Sequence, residues 1–225
     1  MKLKLLFSVV FVCTLLTTSY AQINKGSTWI GSNFSYGKIK GKLYPSLPEE
    51  ELKRTSITPS VGMAIKENLV LGVFAAYVND YRENDDYLLE NKSRSYGGGV
   101  FVRRYMPVYK QLYIFGEGRL SFNHTKASGK YDWGTSGNYS YESKGWATSV
   151  ALTPGIAYGI TQNIQLEAGL ASLFNISYER AKAFNSGTNA GNPGNSKAKS
   201  FNANVNLDKL SSFTLGVRFL LNKKA

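Results

Sequence analysis

The chain has 225 residues, 27 Lys and Arg against 15 Asp and Glu, and a formal net charge of +12. Its 43% hydrophobic and 13% aromatic content is not that of a disordered chain. One Cys excludes a disulfide framework and a Cys-based zinc site, and a single His excludes any site that needs two imidazoles.

The first 21 residues have the layout of a secretory signal. A short basic start precedes an apolar run from Leu5 to Leu16, and small residues follow up to Ala21. We predict cleavage between Ala21 and Gln22, which removes Cys13 from the mature chain. The apolar run is shorter than the ~20 residues of a membrane-spanning helix, and we expect no such helix later in the chain.

Apolar side chains after residue 27 alternate with polar or small ones at a period of two. Between Phe213 and Leu221, for example, every odd position is apolar. The same alternation runs through 69–77, 146–158 and 164–178, and no helical period is sustained. The pattern predicts an all-β chain of eight strands, at 27–39, 53–65, 69–81, 93–106, 111–126, 143–160, 163–180 and 204–221.

The predicted strands are long, and the connectors between them alternate in length. Strands of 9–11 or more residues suit a tilted crossing of a bilayer, whereas strands in soluble proteins average about 5–6. Short connectors at 66–68, 107–110 and 161–162 alternate with long polar ones at 40–52, 82–92, 127–142 and 181–203. We therefore predict an eight-stranded antiparallel transmembrane up-and-down β-barrel over 22–225, with both termini at the short-turn end. A soluble exported β-sandwich is the alternative fold.

Aromatic residues and prolines add detail to this prediction. Proline has no N–H for a strand ladder, so we expect local distortion at Pro59 and Pro154. The aromatic residues predict two girdles, as at membrane interfaces. The loop-end girdle holds Tyr36, Tyr77, Tyr81, Phe122, Trp146 and Tyr178, and the turn-end girdle holds Tyr105, Tyr109, Tyr113, Tyr158 and Phe219.

Charged residues also occur on the predicted inner face of the strands. An eight-stranded barrel is nearly filled by its own side chains, and a charge in that confined interior needs a partner. We predict an ion-pair and hydrogen-bond network that fills the lumen, with a polar path for a small solute as the alternative. Its members are Arg103, Glu117, Arg119, Glu167 and Arg218, with Arg103 near Glu117 and Glu167 near Arg218.

The last predicted strand carries a family resemblance. Thr214, Gly216, Phe219 and Leu221 have the spacing of the C-terminal signal that the barrel-assembly machinery reads. Residues 22–221 resemble the small outer-membrane β-barrel domain family that includes OmpA/OmpX-like and PorT-like barrels. The resemblance implies the outer membrane of a Gram-negative bacterium and the assembly machinery as a partner. It also implies a non-enzymatic role in envelope structure, surface interaction or secretion-system assembly.

Two other functions are weighed against this one. A narrow transporter of small hydrophobic solutes, resembling OmpW-like barrels, requires an apolar lumen or a lateral opening. A lipid A-modifying enzyme would combine His124 with Ser121 or Ser143, but sequence supplies only these ingredients and no motif around them. We predict no enzyme activity, no catalytic residue, no metal and no cofactor.

The basic residues near the predicted loops indicate possible partners. Export makes nucleic acid an improbable partner for the positive charge. We expect these residues either to pair with the phosphates of outer-leaflet lipopolysaccharide or only to keep the loops soluble, and an envelope protein is a further candidate partner. The candidates for lipopolysaccharide are Lys126, Lys130, Lys144, Arg180 and Lys182.

Overall fold

The computed structural model describes residues 23–41, 50–84, 89–132, 138–170, 173–187, 195–205 and 213–221. The predicted signal, Cys13 and the cleavage site at Ala21 and Gln22 lie outside these ranges. Within them, no helix is long and apolar enough to cross a membrane.

Every long regular element in the described ranges is a β-strand, which confirms the predicted all-β antiparallel fold. There are ten strands in these ranges, in one sheet, where eight were predicted. They are β1 Thr28–Gly41, β2 Glu50–Lys66, β3 Leu69–Asn84, β4 Leu89–Tyr109, β5 Leu112–Asp132, β6 Asn138–Gly159, β7 Ile164–Leu170, β8 Phe174–Gly187, β9 Asn195–Val205 and β10 Phe213–Leu221.

Strands β1 to β7 and β10 form a closed ring in which each strand is antiparallel to both neighbours. The ring closes between the first and last strands, where Thr28 lies opposite Leu221 and Phe34 lies opposite Leu215. The other two strands extend the sheet from β6, in the order β6, β8, β9. Beyond Phe34, β1 therefore pairs with β2 alone in the described residues.

Strand β6 changes its partner at Pro154. Gly155 pairs with Gly169 of β7, whereas Leu152 pairs with Phe174 of β8. The three residue steps from Leu152 to Gly155 on β6 therefore lie opposite the five steps from Gly169 to Phe174, so the register shifts by two residues. Because Pro154 cannot donate a ladder hydrogen bond, the distortion falls where the predicted strand 163–180 divides into β7 and β8.

The predicted long loops are largely strand, which corrects the sequence interpretation. Strand β3 extends to Asn84 and β4 begins at Leu89, while β5 ends at Asp132 and β6 begins at Asn138. Strands β8 and β9 occupy 174–187 and 195–205. Most residues in these extensions are polar or small on both faces, with Phe184 and Phe201 among the exceptions, so the alternation that marks a half-buried strand is lost. Backbone pairing continues without it, because ladder hydrogen bonds do not depend on side-chain polarity.

The turn end of the ring interior is filled by apolar side chains. Trp29, Tyr105 and Tyr113 point inward and are buried, and Ile23 packs with them from before β1. The backbone carbonyl of Ile23 accepts a hydrogen bond from the N–H of Asn68 at 3.0 Å, in the β2–β3 turn. The assignment of Tyr105 and Tyr113 to an outer girdle is therefore wrong, because both have the inward parity of their strands.

The closure of the ring is directly testable with engineered cysteines. Ser32 and Val217 are register partners on β1 and β10. Directly opposed residues have Cβ atoms about 4.5–5.5 Å apart, close to disulfide geometry. In a Cys13→Ser background, Ser32→Cys with Val217→Cys is expected to form a disulfide on oxidation, detected by mass spectrometry of the joined peptides.

The matched control pairs Ser32→Cys with Val100→Cys, which lies three strands away on β4. This pair should stay reduced under the same oxidation. A disulfide in the control, or none between positions 32 and 217, would contradict the ring.

Candidate functional site

The five predicted inner charges meet in the interior of the ring. They lie on the loop-end side of the buried residues Ile23, Trp29, Tyr105 and Tyr113, which we call the apolar plug. Arg103 lies on β4, Glu117 and Arg119 on β5, Glu167 on β7 and Arg218 on β10. Arg103 is the direct register partner of Glu117. Inward parity brings all five side chains to one side of the sheet, and the curvature of the ring brings the strands within reach of one another.

Glu167 is the central acceptor of this network. Arg103 Nη1 lies 2.6 Å from both of its carboxylate oxygens. Arg218 Nη2 lies 3.0 Å from Oε2. The Tyr105 hydroxyl donates to Oε1 at 2.7 Å. Glu167 therefore connects β4, β7 and β10 through charge-assisted hydrogen bonds, which are the stronger kind.

Glu117 is the second acceptor. The Nε and Nη2 atoms of Arg103 lie 2.7 and 2.5 Å from its Oε2. Arg119 donates through Nε to the other oxygen, Oε1. Arg119 is the more accessible of the two arginines, with 23% of its side chain exposed against 1% for Arg103. The network therefore ends at Arg119 on its loop side.

Aromatic rings that the sequence analysis left out of the site complete it. The guanidinium carbons of Arg103 and Arg218 lie 4.9 and 4.6 Å from the centroid of the Trp29 ring. Arg103 also lies 4.2 Å from the Phe115 centroid. The indole N–H of Trp29 donates to the Tyr105 hydroxyl at 3.0 Å. The sequence could have predicted this position, because Trp29 alternates with the outward-facing residues Ile30 and Phe34 of β1 and therefore faces inward.

The network has more positive than negative groups. Its three arginines and two glutamates leave one net positive charge when all five are ionised. Arg218 offsets part of this excess with backbone contacts, since its Nη1 donates to the Ser32 carbonyl at 2.8 Å. Its Nη2 donates to Asn33 Oδ1. Together with the plug below, these groups close the described interior at its turn end.

Above the network, the inner face changes from charged groups to hydroxyls. Register partners on neighbouring strands form hydroxyl pairs: Ser35 with Ser56 at 2.6 Å and Ser121 with Ser149 at 2.7 Å. Ser177 continues the second pair onto β8. The interior directly above the network is therefore lined by small polar groups, and the Arg54–Asp80 ion pair, 3.5 Å apart, lies beyond them on the inward parity of β2 and β3. The turn-end half is charged and then apolar.

The groups proposed for lipid A chemistry lie on opposite faces of the sheet. The His124 ring is on the outer face, 5.2 Å from the ring of Tyr96. Ser121 is on the inner face, where it pairs with Ser149. Ser143 shares the inner parity of β6. His124 and these two serines therefore do not form a catalytic set.

The four residues of the predicted assembly signal all lie on β10. Thr214 and Gly216 have the inward parity, and Phe219 and Leu221 point outward and are about half exposed. The outward side of β10 lies in an open groove with a cavity volume of about 660 Å³. Its apolar lining includes Ile30, Phe34, Leu166, Leu215, Val217 and Phe219.

A separate charge cluster lies at the loop end, beyond the apolar part of β1 and β2. The carboxylate of Glu51 is 2.9 Å from the ammonium groups of Lys38 and Lys40 and 2.8 Å from that of Lys53. Hydrogen bonds from Lys53, then Lys38 and Lys40, lower the pKa of Glu51 to about 2. One carboxylate thus serves as the shared anion of three lysines.

Comparison with known proteins finds similar strand arrangements among solved structures. No protein-family model and no curated protein matches the sequence. The ferric yersiniabactin uptake receptor FyuA of Yersinia pestis is similar over 80% of this chain and 31% of its own, at 13% identity and a TM-score of 0.39. The translocator domain of autotransporter NalP of Neisseria meningitidis is similar over 92% of this chain and 91% of its own, at 10% identity and a TM-score of 0.45. Because both likenesses are distant, the function of this chain has to be inferred from its own residues.

The central role of Glu167 makes a quantitative prediction. Glu167→Gln keeps the volume but leaves Arg103 and Arg218 without their shared counter-charge. Breaking a buried ion pair in this way costs about 3–5 kcal/mol. We expect a loss of this size in the free energy of unfolding, measured by denaturant titration.

Glu142→Gln is the matched control, because 68% of the Glu142 side chain is exposed and its carboxylate lies 4.0 Å from Lys144. Its effect should stay within about 0.5 kcal/mol. A Glu167→Gln variant as stable as this control would show that the network does not support the ring.

Proposed function

We propose that this protein is a non-enzymatic integral outer-membrane β-barrel of a Gram-negative bacterium, with a closed, side-chain-filled interior. Its role would lie in envelope structure, surface interaction or secretion-system assembly. The ring of eight strands would be the transmembrane barrel. The extended hairpins at the loop end would reach beyond the membrane and contact other envelope components.

One observation carries this proposal: large apolar side chains cover the outer face of the ring, and charged side chains are buried in its interior. Val73, Leu120 and Ile156 are about half exposed on the outer face, as are most large apolar residues of the ring. Arg103, Glu117 and Arg218 are buried in the interior. Water-soluble proteins bury apolar groups and expose charges, so this inversion fits a ring that is surrounded by lipid.

The closed interior supports a structural or binding role over that of a diffusion pore. The charge network crosses the interior, and Ile23, Trp29, Tyr105 and Tyr113 fill the space below it. Eight-stranded barrels have room for little else. Interaction would therefore take place at the loop end or the turn end of the barrel.

The lipid-facing surface can be tested with a charged substitution. Leu120→Arg places a guanidinium in the middle of the apolar outer face of β5. We expect it to lower the free energy of unfolding from lipid bilayers by about 2–4 kcal/mol, as for Arg near the bilayer midplane of outer-membrane barrels. The measurement is a denaturant titration of the protein folded into phospholipid vesicles.

Ser128→Arg, on the same face of β5 but eight residues nearer the loop end, is the control and should change little. Wild-type protein should also fractionate with the outer membrane as a heat-modifiable gel band. If the two substitutions have the same small effect, the outer face of Leu120 is in contact with water and the barrel proposal fails.

An opening in the loop-end half of the sheet favours one alternative function. Ser35 to Gly41 of β1 pair only with β2, and β9 pairs only with β8, among the described residues. A lateral opening between these edges is what a transporter of small hydrophobic solutes requires. However, the adjoining inner face carries polar residues such as Ser35, Asn202 and Asn204.

Transfer of a small hydrophobic dye into proteoliposomes discriminates between the two functions. We expect the rate to equal that of protein-free vesicles, because the hydroxyl-lined and charged interior offers no apolar path. Protein-dependent, saturable transfer would favour the transporter.

A further inference from the structure

Five basic residues form one continuous row on the outer face of the sheet near its loop end. The row runs across five neighbouring strands, and each residue is the register partner of the next. Its members are Arg94 on β4, Lys126 on β5, Lys144 on β6, Lys182 on β8 and Lys197 on β9. All five side chains are exposed and have the outward parity of their strands. We call these five residues the basic row.

The basic row has almost no compensating negative charge in the described part of the chain. Its nearest acid is Glu142, whose carboxylate lies 4.0 Å from Lys144 and is mostly exposed. Directly opposed residues on neighbouring strands have Cβ atoms about 4.5–5.5 Å apart, and like charges in such pairs are destabilising. Four successive like-charged pairs therefore favour an external anion that bridges them.

The rows below place the basic row at a particular depth. Two residues toward the turn end, β4, β5 and β6 carry the rings of Tyr96, His124 and Trp146, whereas β8 and β9 carry two more cations, Arg180 and Lys199. The next row holds Phe122 and Tyr178. Trp146 packs against the rings of Phe122 and Tyr178, with centroids 5.9 and 5.6 Å away. The row after that is aliphatic and includes Leu120 and Val150.

This order matches the layers of a membrane leaflet. Tyr and Trp prefer the level of the lipid headgroups, and aliphatic side chains face the acyl chains. Since two residues of a strand span about 7 Å, the basic row lies one small step outside the aromatic level. At that depth the groups that carry negative charge in a leaflet are the phosphates of its lipids.

We propose that the basic row is a binding site for the phosphate groups of a phosphorylated glycolipid of the outer leaflet, with the acyl chains lying on the aromatic and aliphatic rows below. This inference rests on the proposed outer-membrane location and names a partner for that surface. Lys and Arg bind phosphate through charge-assisted hydrogen bonds, and a spread of five cations suits a ligand with more than one phosphate. A soluble phosphate without acyl chains would make no contact with the aromatic and aliphatic rows.

The lysines on β1 and β2 provide an internal comparison. Lys38, Lys40 and Lys53 are also outward and near the loop end, but the carboxylate of Glu51 lies within 2.9 Å of all three. There the protein supplies its own anion in the place that a phosphate would occupy. The basic row has the same kind of cations without such an acid.

The test uses the full mature chain folded in a neutral detergent, with bis-phosphorylated lipid A as the probe. Binding is measured by titration calorimetry, and the unfolding midpoint is measured with and without the probe. The triple variant Lys126→Gln, Lys144→Gln, Lys182→Gln should lose about a hundredfold in affinity, because three solvent-exposed ion pairs with phosphate are removed. Without lipid A it should be at least as stable as the wild type, since like-charge repulsion is relieved.

Three comparisons make the result specific. The triple variant Lys38→Gln, Lys40→Gln, Lys53→Gln removes the same charge and should keep nearly the wild-type affinity. Lys126→Arg, Lys144→Arg, Lys182→Arg keeps the charge and should also bind. Dephosphorylated lipid A should bind weakly, and inorganic pyrophosphate should not compete at the same concentration.

Each opposite outcome overturns the proposal in a distinct way. Equal loss in the Lys38, Lys40, Lys53 variant means that net charge alone attracts the lipid. Equal binding of dephosphorylated lipid A means that the apolar rows alone hold it, and competition by pyrophosphate means that the ligand is a soluble phosphate. Vesicle insertion of the same variants, measured in parallel, separates failure of this site from failure of the barrel itself.

Discussion

The structure depends on the requirement that a charge inside a narrow ring be matched by another charge. Glu167 meets this requirement for two strands at once, because Arg103 and Arg218 lie 2.6 and 3.0 Å from its carboxylate. Trp29 of β1 lies against both guanidinium groups. Strands from opposite ends of the sequence are thereby tied together across the interior, which supports the pairing of β1 with β10 that closes the ring.

The distribution of polarity follows from the same arrangement. Charges and hydroxyls share the inner face with the buried aromatic side chains of the turn end, and the outer face of the ring is apolar, which fits the hydrocarbon environment that we propose. Along each strand the outer face then changes from aliphatic to aromatic and finally to basic, as seen from Leu120 through Phe122 and His124 to Lys126 on β5. The order of residue types along β5 therefore matches the order of layers in the leaflet that we propose it crosses.

The two halves of the sheet are organised differently. At the turn end the ring is closed and its interior is filled. At the loop end β6 has exchanged β7 for β8, and the described edges of β1 and β9 have no neighbour. The change occurs at Pro154, where a ladder donor is missing. A closed base below a more open upper half fits the loop-end contacts that we propose.

The alternation of side chains determined much of this protein by itself. A period of two is a local property, so it predicted the strands, their inner and outer faces, and the inward parity of Arg103, Glu117 and Glu167. Register is not local, because it depends on how many residues each hairpin and each irregularity takes up. Only the tertiary structure therefore decided that β7 and β8 are separate strands, that Tyr105 completes the charge network, and that Lys126, Lys144 and Lys182 stand side by side in one row.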